Sequence, residues 1–153
     1  MPLPQGTLVV ILDTATRREL VTSAYNERRA QCEEAAAYFG VKALRDVSLE
    51  RFEAEKDGLE PVVRRRARHI ITENARTLQA AEAMRRGDAA AFGRLMDASD
   101  VSMRDDFEIT NEALNIMAAI AQAHPASYGA RMTGGGVVGI AFFLFGMWIY
   151  IAL

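Results

Sequence analysis

The chain has 153 residues, 50% apolar and 25% charged, with a net charge of −2. That usage excludes a disordered or collagen-like polypeptide, and the slight acidity removes the electrostatic case for nucleic acid despite the run Arg64-Arg65-Arg66-Ala67-Arg68. One domain of this length can bury about 70% of its unfolded surface.

A single cysteine, Cys32, leaves no internal disulfide and points to a reducing, cytoplasmic setting. Met1-Pro2-Leu3-Pro4 has neither the basic start nor the apolar core of a secretory leader.

Leu8-Val9-Val10-Ile11-Leu12 is an unbroken apolar run between Gly6 and Asp13, and predicts a strand buried on both faces. A helix is expected from Ser23, as N-cap, to Phe39, with Gly40 in the left-handed closing position. Tyr25, Cys32, Ala36 and Phe39 fall on one stripe of it. The longest helix should run from Glu60-Pro61 to Arg86, because Pro61 suits a first turn and Gly87 ends one. Its inward positions are Val63, Ala67, Ile70, Ile71, Leu78 and Ala81, with Arg64, Arg65, Arg68 and Arg76 mostly opposite. Asp88 is expected to cap a short helix through Asp97. Thr110 is expected to cap another, which Pro125 stops, with Leu114, Met117, Ala118 and Ala121 as its apolar face. Tyr128 to Thr133 reads as a short strand leading into Gly134-Gly135-Gly136. The expected class is α+β, helix-rich, with short strands packed against several helices.

Few residues suggest chemistry by themselves. Three glycines after a strand let backbone N–H groups approach a phosphate, although most such runs are turns, and no Walker A string occurs. Tyr25 near a helix start is a core aromatic on the plain reading; its flat ring and polar tip also suit a sugar. Asp105 and Asp106 diverge by about 100° on a helix, so they predict a structural role beside Arg104 rather than a carboxylate pair. His69 and His124 show no metal-ligand spacing with Cys32 or the acids, and are expected to pack or cap.

Five segments considered together say more. Ser23-Ala24-Tyr25-Asn26-Glu27-Arg28-Arg29, Ala43-Leu44-Arg45-Asp46-Val47, the stretch from Arg66 to Thr77, Ser102-Met103-Arg104-Asp105-Asp106-Phe107-Glu108-Ile109-Thr110, and Gly129-Ala130-Arg131-Met132-Thr133 with its glycines resemble, in order and spacing, the C-terminal half of a galactokinase of the GHMP kinase superfamily. The resemblance runs from about Leu3 to Gly136. It implies transfer of the ATP γ-phosphoryl group, with Mg, to the anomeric hydroxyl of galactose. It also implies that Tyr25 binds galactose and that Gly134, Gly135 and Gly136 support the nucleotide-phosphate region. The family's phosphate loop, its main sugar block and its catalytic aspartate belong to the N-terminal half, and none of those strings occurs here. The resemblance therefore implies that this chain has no catalytic residue of its own, is inactive alone, and has the N-terminal half as its natural partner. Asp100 departs from the family pattern, which has histidine there.

Val137 to Leu153 carry no charge and are at the lower limit of about 17 residues for a spanning helix, with Trp148 and Tyr150 near the end. Galactokinases continue with Phe-Gly-Gly-Cys, whereas Val137-Val138-Gly139-Ile140 stands here. A reading-frame change after Gly136 is the expectation placed first, ahead of a membrane anchor. The alternatives to a kinase fragment are a non-catalytic galactose-binding or regulatory module and a small C-terminally anchored protein. Lacking partners, the Leu8–Leu12 run is expected to present an apolar patch.

Overall fold

The structure, a computed structural model, describes residues 3–14, 21–133 and 140–146. Strand β1 (Thr7–Asp13) is followed by five helices: α1 (Val21–Tyr38), α2 (Leu49–Glu55), α3 (Pro61–Arg85), α4 (Ala89–Asp105) and α5 (Glu112–Gln122). Strands β2 (Ser127–Thr133) and β3 (Ile140–Gly146) complete the order. The three strands form an antiparallel sheet in the order β1-β3-β2. The α+β, helix-rich expectation holds.

Helix ends follow local chemistry. Glu60 caps α3 by accepting from Val62 and Val63 N–H, Pro61 occupies the first turn, and Gly87 follows at φ 69°. Gly40, at φ 64°, closes α1: its N–H donates to Ala37 O and Val41 N–H to Ala36 O, the paired bonds of a Schellman motif. Asp88 caps α4 through Ala91 N–H at 2.9 Å.

Three boundaries differ from expectation. Helix α1 begins at Val21, so Ser23 lies inside its first turn instead of capping it. The cap of α5 is Asn111, whose side chain accepts from Leu114 N–H at 2.9 Å, and not Thr110. Helix α4 does not stop at Asp97. It runs eight residues further, and its buried stripe there holds Ser99, Asp100 and Ser102 beside Met96 and Met103, which disguises the apolar period. Helix α2, capped by Ser48, was not anticipated.

The larger core joins the C-terminal half of α1 to α2 and the start of α3, through Ala35, Phe39, Leu44, Val47, Phe52, Val63 and Ala67. Two smaller clusters lie under the sheet. Ala121 meets Ala130 with Val10 and Met117 against them, and Met103, Leu114 and Met132 pack together. The facing of α3 differs in part: Leu78 is 68% exposed, while Arg66 and His69 are buried.

Strand β1 is not buried on both faces. It is an edge strand, the cluster with α5 takes in Val10, and Val9, Ile11 and Leu12 remain 37%, 57% and 39% exposed.

Residues 140–146 of the apolar tail form the middle strand, register-matched from Thr7↔Gly146 to Asp13↔Ile140. Among the described residues no helix is long and apolar enough to cross a membrane. The aromatic, branched composition that suggested a spanning helix is equally strand-forming, and here two neighbours hydrogen-bond it.

Close approach binds α4 to β2. A Cβ on Gly93 would lie 1.9 Å from the Tyr128 carbonyl oxygen, and one on Gly129 would lie 2.1 Å from the Gly93 carbonyl oxygen. Ala130 N–H donates to Asp97 Oδ1 at 2.8 Å and Met132 N–H to Asp100 Oδ1 at 3.4 Å, while Gln122 of α5 donates to Ala130 O at 3.0 Å. Side chains of two helices thus take up the backbone groups of β2 that point away from β3.

Candidate functional site

Arg28, one helical turn beyond Tyr25, ties the N-terminal half of α1 to the turn after α4. Its Nε donates to Phe107 O at 2.9 Å and its Nη2 to Glu108 O at 3.1 Å. Arg66, 2% exposed, completes the clasp from α3, donating to Gln31 Oε1 at 2.9 Å, to Asp106 O and to the Glu108 carboxylate. Arg65 reaches the same carboxylate at 3.2 Å. Glu108 stands at φ 53°, a left-handed conformation costly for a residue with a side chain. Its carboxyl is held below the usual value by the hydrogen bond from Arg66, with the charges of Arg66, Arg65 and Arg28 adding to it. The arginine run is therefore not a wholly solvated face, because Arg66 points into the protein.

The neighbouring acids have structural roles, as expected. Asp105 takes both bonds of Arg104, at 2.7 and 3.0 Å, while Asp106 accepts from Arg68 and Ser102. His69 stacks on Phe107 with ring centroids 4.5 Å apart, and its Nδ1 lies 2.9 Å from Ser102 Oγ. Since the Ser102 proton goes to Asp106, the imidazole Nδ1–H is the donor to Ser102. Burial lowers the His69 pKa to about 4, against smaller opposing effects of Glu73 and Asp106. His124 accepts from Ala126 N–H, a turn-capping role.

Clasped in this way, α1 presents Tyr25 on its first turns at 63% exposure. The tyrosine does not share the buried stripe of Cys32, Ala36 and Phe39, because the core reaches only the later turns of the helix.

A second polar network links α3, α4 and β2. Arg131 Nη1 donates to Glu73 Oε1 at 2.9 Å and to Ser99 Oγ at 2.8 Å. Ser99 donates to the same carboxylate at 2.6 Å, and Arg76 Nε takes its other oxygen at 2.8 Å. Burial alone would raise the Glu73 pKa, but the hydrogen bonds from Ser99 and Arg76 and the two positive charges outweigh it and leave the carboxyl below its usual value. This network borders a cavity of about 410 Å³. Gly134, Gly135 and Gly136 lie outside the described residues. Among the described residues no group of three or more His, Cys, Asp or Glu is placed to hold a metal ion.

Residues 80–145 match the family described as GHMP kinases C terminal. The match includes β2 and nearly all of β3, so it extends past Gly136 into the tail. The chain is 52% identical over 142 residues to a galactokinase of Haemophilus influenzae, covering 90% of this chain and 37% of that protein. It is 51% identical over 148 residues to a galactokinase of Actinobacillus succinogenes, covering 92% and 38%. Among solved structures, the galactokinase of Lactococcus lactis complexed with galactose superposes with a TM-score of 0.88 at 36% identity, over 94% of this chain and 38% of that one. The chain thus spans a little over a third of the length of the relatives it matches.

Four of the five sequence blocks meet in these two networks: α1 and the 102–110 turn through Arg28, α3 through Arg66 and Glu73, and β2 through Arg131. The fifth, Ala43 to Val47, packs Leu44 and Val47 into the larger core. Sequence reasoning missed Arg66 and Glu108 as a pair, since neither residue is unusual until the fold joins them.

Proposed function

We propose that this chain serves as the C-terminal part of a galactokinase, which transfers the γ-phosphoryl group of ATP to the anomeric hydroxyl of galactose. One observation carries the assignment of Tyr25 to the sugar: the Arg28 clasp fixes α1 to the turn after α4 while leaving Tyr25 63% exposed. A ring so placed can stack on the apolar face of a hexose and offer its hydroxyl as a hydrogen-bond partner. The galactose in the L. lactis galactokinase structure supports that choice of ligand.

Gly134, Gly135 and Gly136 are assigned to supporting the nucleotide phosphates on the strength of the sequence alone. ATP, metal and the group that orients the attacking hydroxyl are assigned to the portion of the relatives this chain does not span. Phosphoryl transfer depends on positioning these groups together, and the isolated chain is therefore inactive. The working compartment is the cytoplasm.

The test is co-expression of this chain with the part of the H. influenzae galactokinase that it does not cover, followed by an assay of ATP-dependent galactose 1-phosphate formation. Activity should require both pieces. Tyr25→Ala should raise KM for galactose by about tenfold or more, the loss of roughly 1.4 kcal/mol of binding, and leave KM for ATP unchanged. An inactive pair that nonetheless associates, or an unchanged galactose KM in the variant, would overturn the assignment.

A further inference from the structure

We propose that the cavity between α3, α4 and the sheet is a binding site for a small amphipathic anion, an apolar body ending in one carboxylate. Its walls are Val9, Ala80, Phe92, Leu95 and Met96, and Tyr25 takes no part in its lining. Its volume, about 410 Å³, falls in the range of small-molecule sites, which are mostly apolar with a few convergent polar groups.

The polar end defines the ligand. Arg76 and Arg131 both line the cavity together with Glu73, Ser99 and Thr133. Glu73 stays ionised and occupies one edge of each guanidinium, so two positive charges face one negative charge. Among the described residues Arg76 Nη1 and Arg131 Nη2 make no hydrogen bond, and the Arg131 side chain remains 34% exposed. Glu73 therefore acts as a brace that fixes both forks and leaves a net single positive charge for the ligand. A cation would meet repulsion here, and a neutral apolar molecule would leave the free N–H groups unpaired. A monoanion with an apolar body satisfies both ends of the cavity.

Octanoate is a suitable probe and 1-octanol its neutral counterpart, with binding to the full chain measured by calorimetry. Octanoate should bind at least about tenfold more tightly than the alcohol, the difference expected of a charge-assisted contact. Arg131→Met should reduce octanoate affinity by about tenfold while leaving the alcohol unchanged. Ala80→Phe, which places a large apolar side chain in the cavity, should abolish binding of both, and its thermal transition reports that the fold survives.

Equal affinities for acid and alcohol would overturn the proposal. So would octanoate binding that persists in Ala80→Phe, which would place the ligand on the separate apolar groove beside Ile116 and Ile120, or no octanoate binding up to about 10 mM.

Discussion

Arg66 is buried at 2% exposure and is paired with Glu108, a residue held in a left-handed backbone conformation. The pair is lopsided, because the carboxylate is 45% exposed while the guanidinium has no water to fall back on. Replacing Arg66 by Met should cost about 2 kcal/mol, since the Asp106 carbonyl and Gln31 lose their donor together. Glu108→Gln keeps an acceptor at the rim and should cost less than about 1 kcal/mol. Urea midpoints of the two variants check the asymmetry. Equal losses would mean that the carboxylate contributes as much as the buried partner.

The contact between α4 and β2 leaves no room for one methyl group. In Gly93→Ala the new carbon would sit 1.9 Å from a backbone oxygen, and backbone cannot swing aside. The expected loss is about 3 kcal/mol. Gly58→Ala is the comparison, because its new carbon meets the Tyr38 hydroxyl, which can move at the cost of its bond to Glu55 O. That costs about 1 kcal/mol. A similar drop in thermal midpoint for both would show that the helix and strand separate easily.

Burial of neutral His69 makes stability depend on pH. Its folded pKa of about 4 lies below the ordinary 6.5, so the unfolded chain binds the extra proton first. The stability tied to the neutral imidazole is complete above pH 6.5, declines as pH falls, and is lost once pH passes below about 4. Between pH 7 and 5, where the carboxylates still hold their charge, unfolding free energy of the native chain should fall by on the order of 1–2 kcal/mol. His69→Asn keeps a donor toward Ser102 and should start lower but stay flat over that window. A native profile as flat as the variant's would contradict a neutral buried ring.

Asp100 accepts from the strand backbone, yet burial pushes its pKa up, against the backbone bond from Met132 and the charge of Arg104. Its ionised form is thus less favourable in the folded chain than in the unfolded one. Asp100→Asn retains an acceptor and removes the charge, so it should be as stable as the native chain at pH 7 or more so. The difference should vanish below about pH 3.8, where both folded and unfolded carboxyls are protonated. Chemical denaturation at pH 7 and pH 3 decides the matter; a marked loss at neutral pH would mean that the charge itself holds the strand.

Several local signals were readable from sequence. Gly40, Pro61, Gly87 and Asp88 mark helix ends because φ, a missing N–H or a capping carboxylate acts on its own turn. The burial of Arg66 was not legible, because it depends on partners 35 to 42 positions away and Arg66 stands among surface arginines. Helix α2 escaped notice because seven residues with only Phe52 buried hold no period to detect. Tyr25 lies on the right angular stripe of α1, but the core ends before reaching it, and length along a helix is invisible to periodicity. The residues from Ile140 to Gly146 look the same to a bilayer and to a sheet, and only the pairing with β1 and β2 separates the two.

Asp97, Asp100 and Gln122 engage the backbone groups of β2 that face outward, and Gly93 lets helix α4 press against the strand. Among the described strands this leaves the sheet open on one side only, along β1, whose residues remain largely exposed. The sheet is therefore directional. A further strand, from a longer polypeptide or a second molecule, would find backbone partners beside Leu8–Leu12 rather than beside β2.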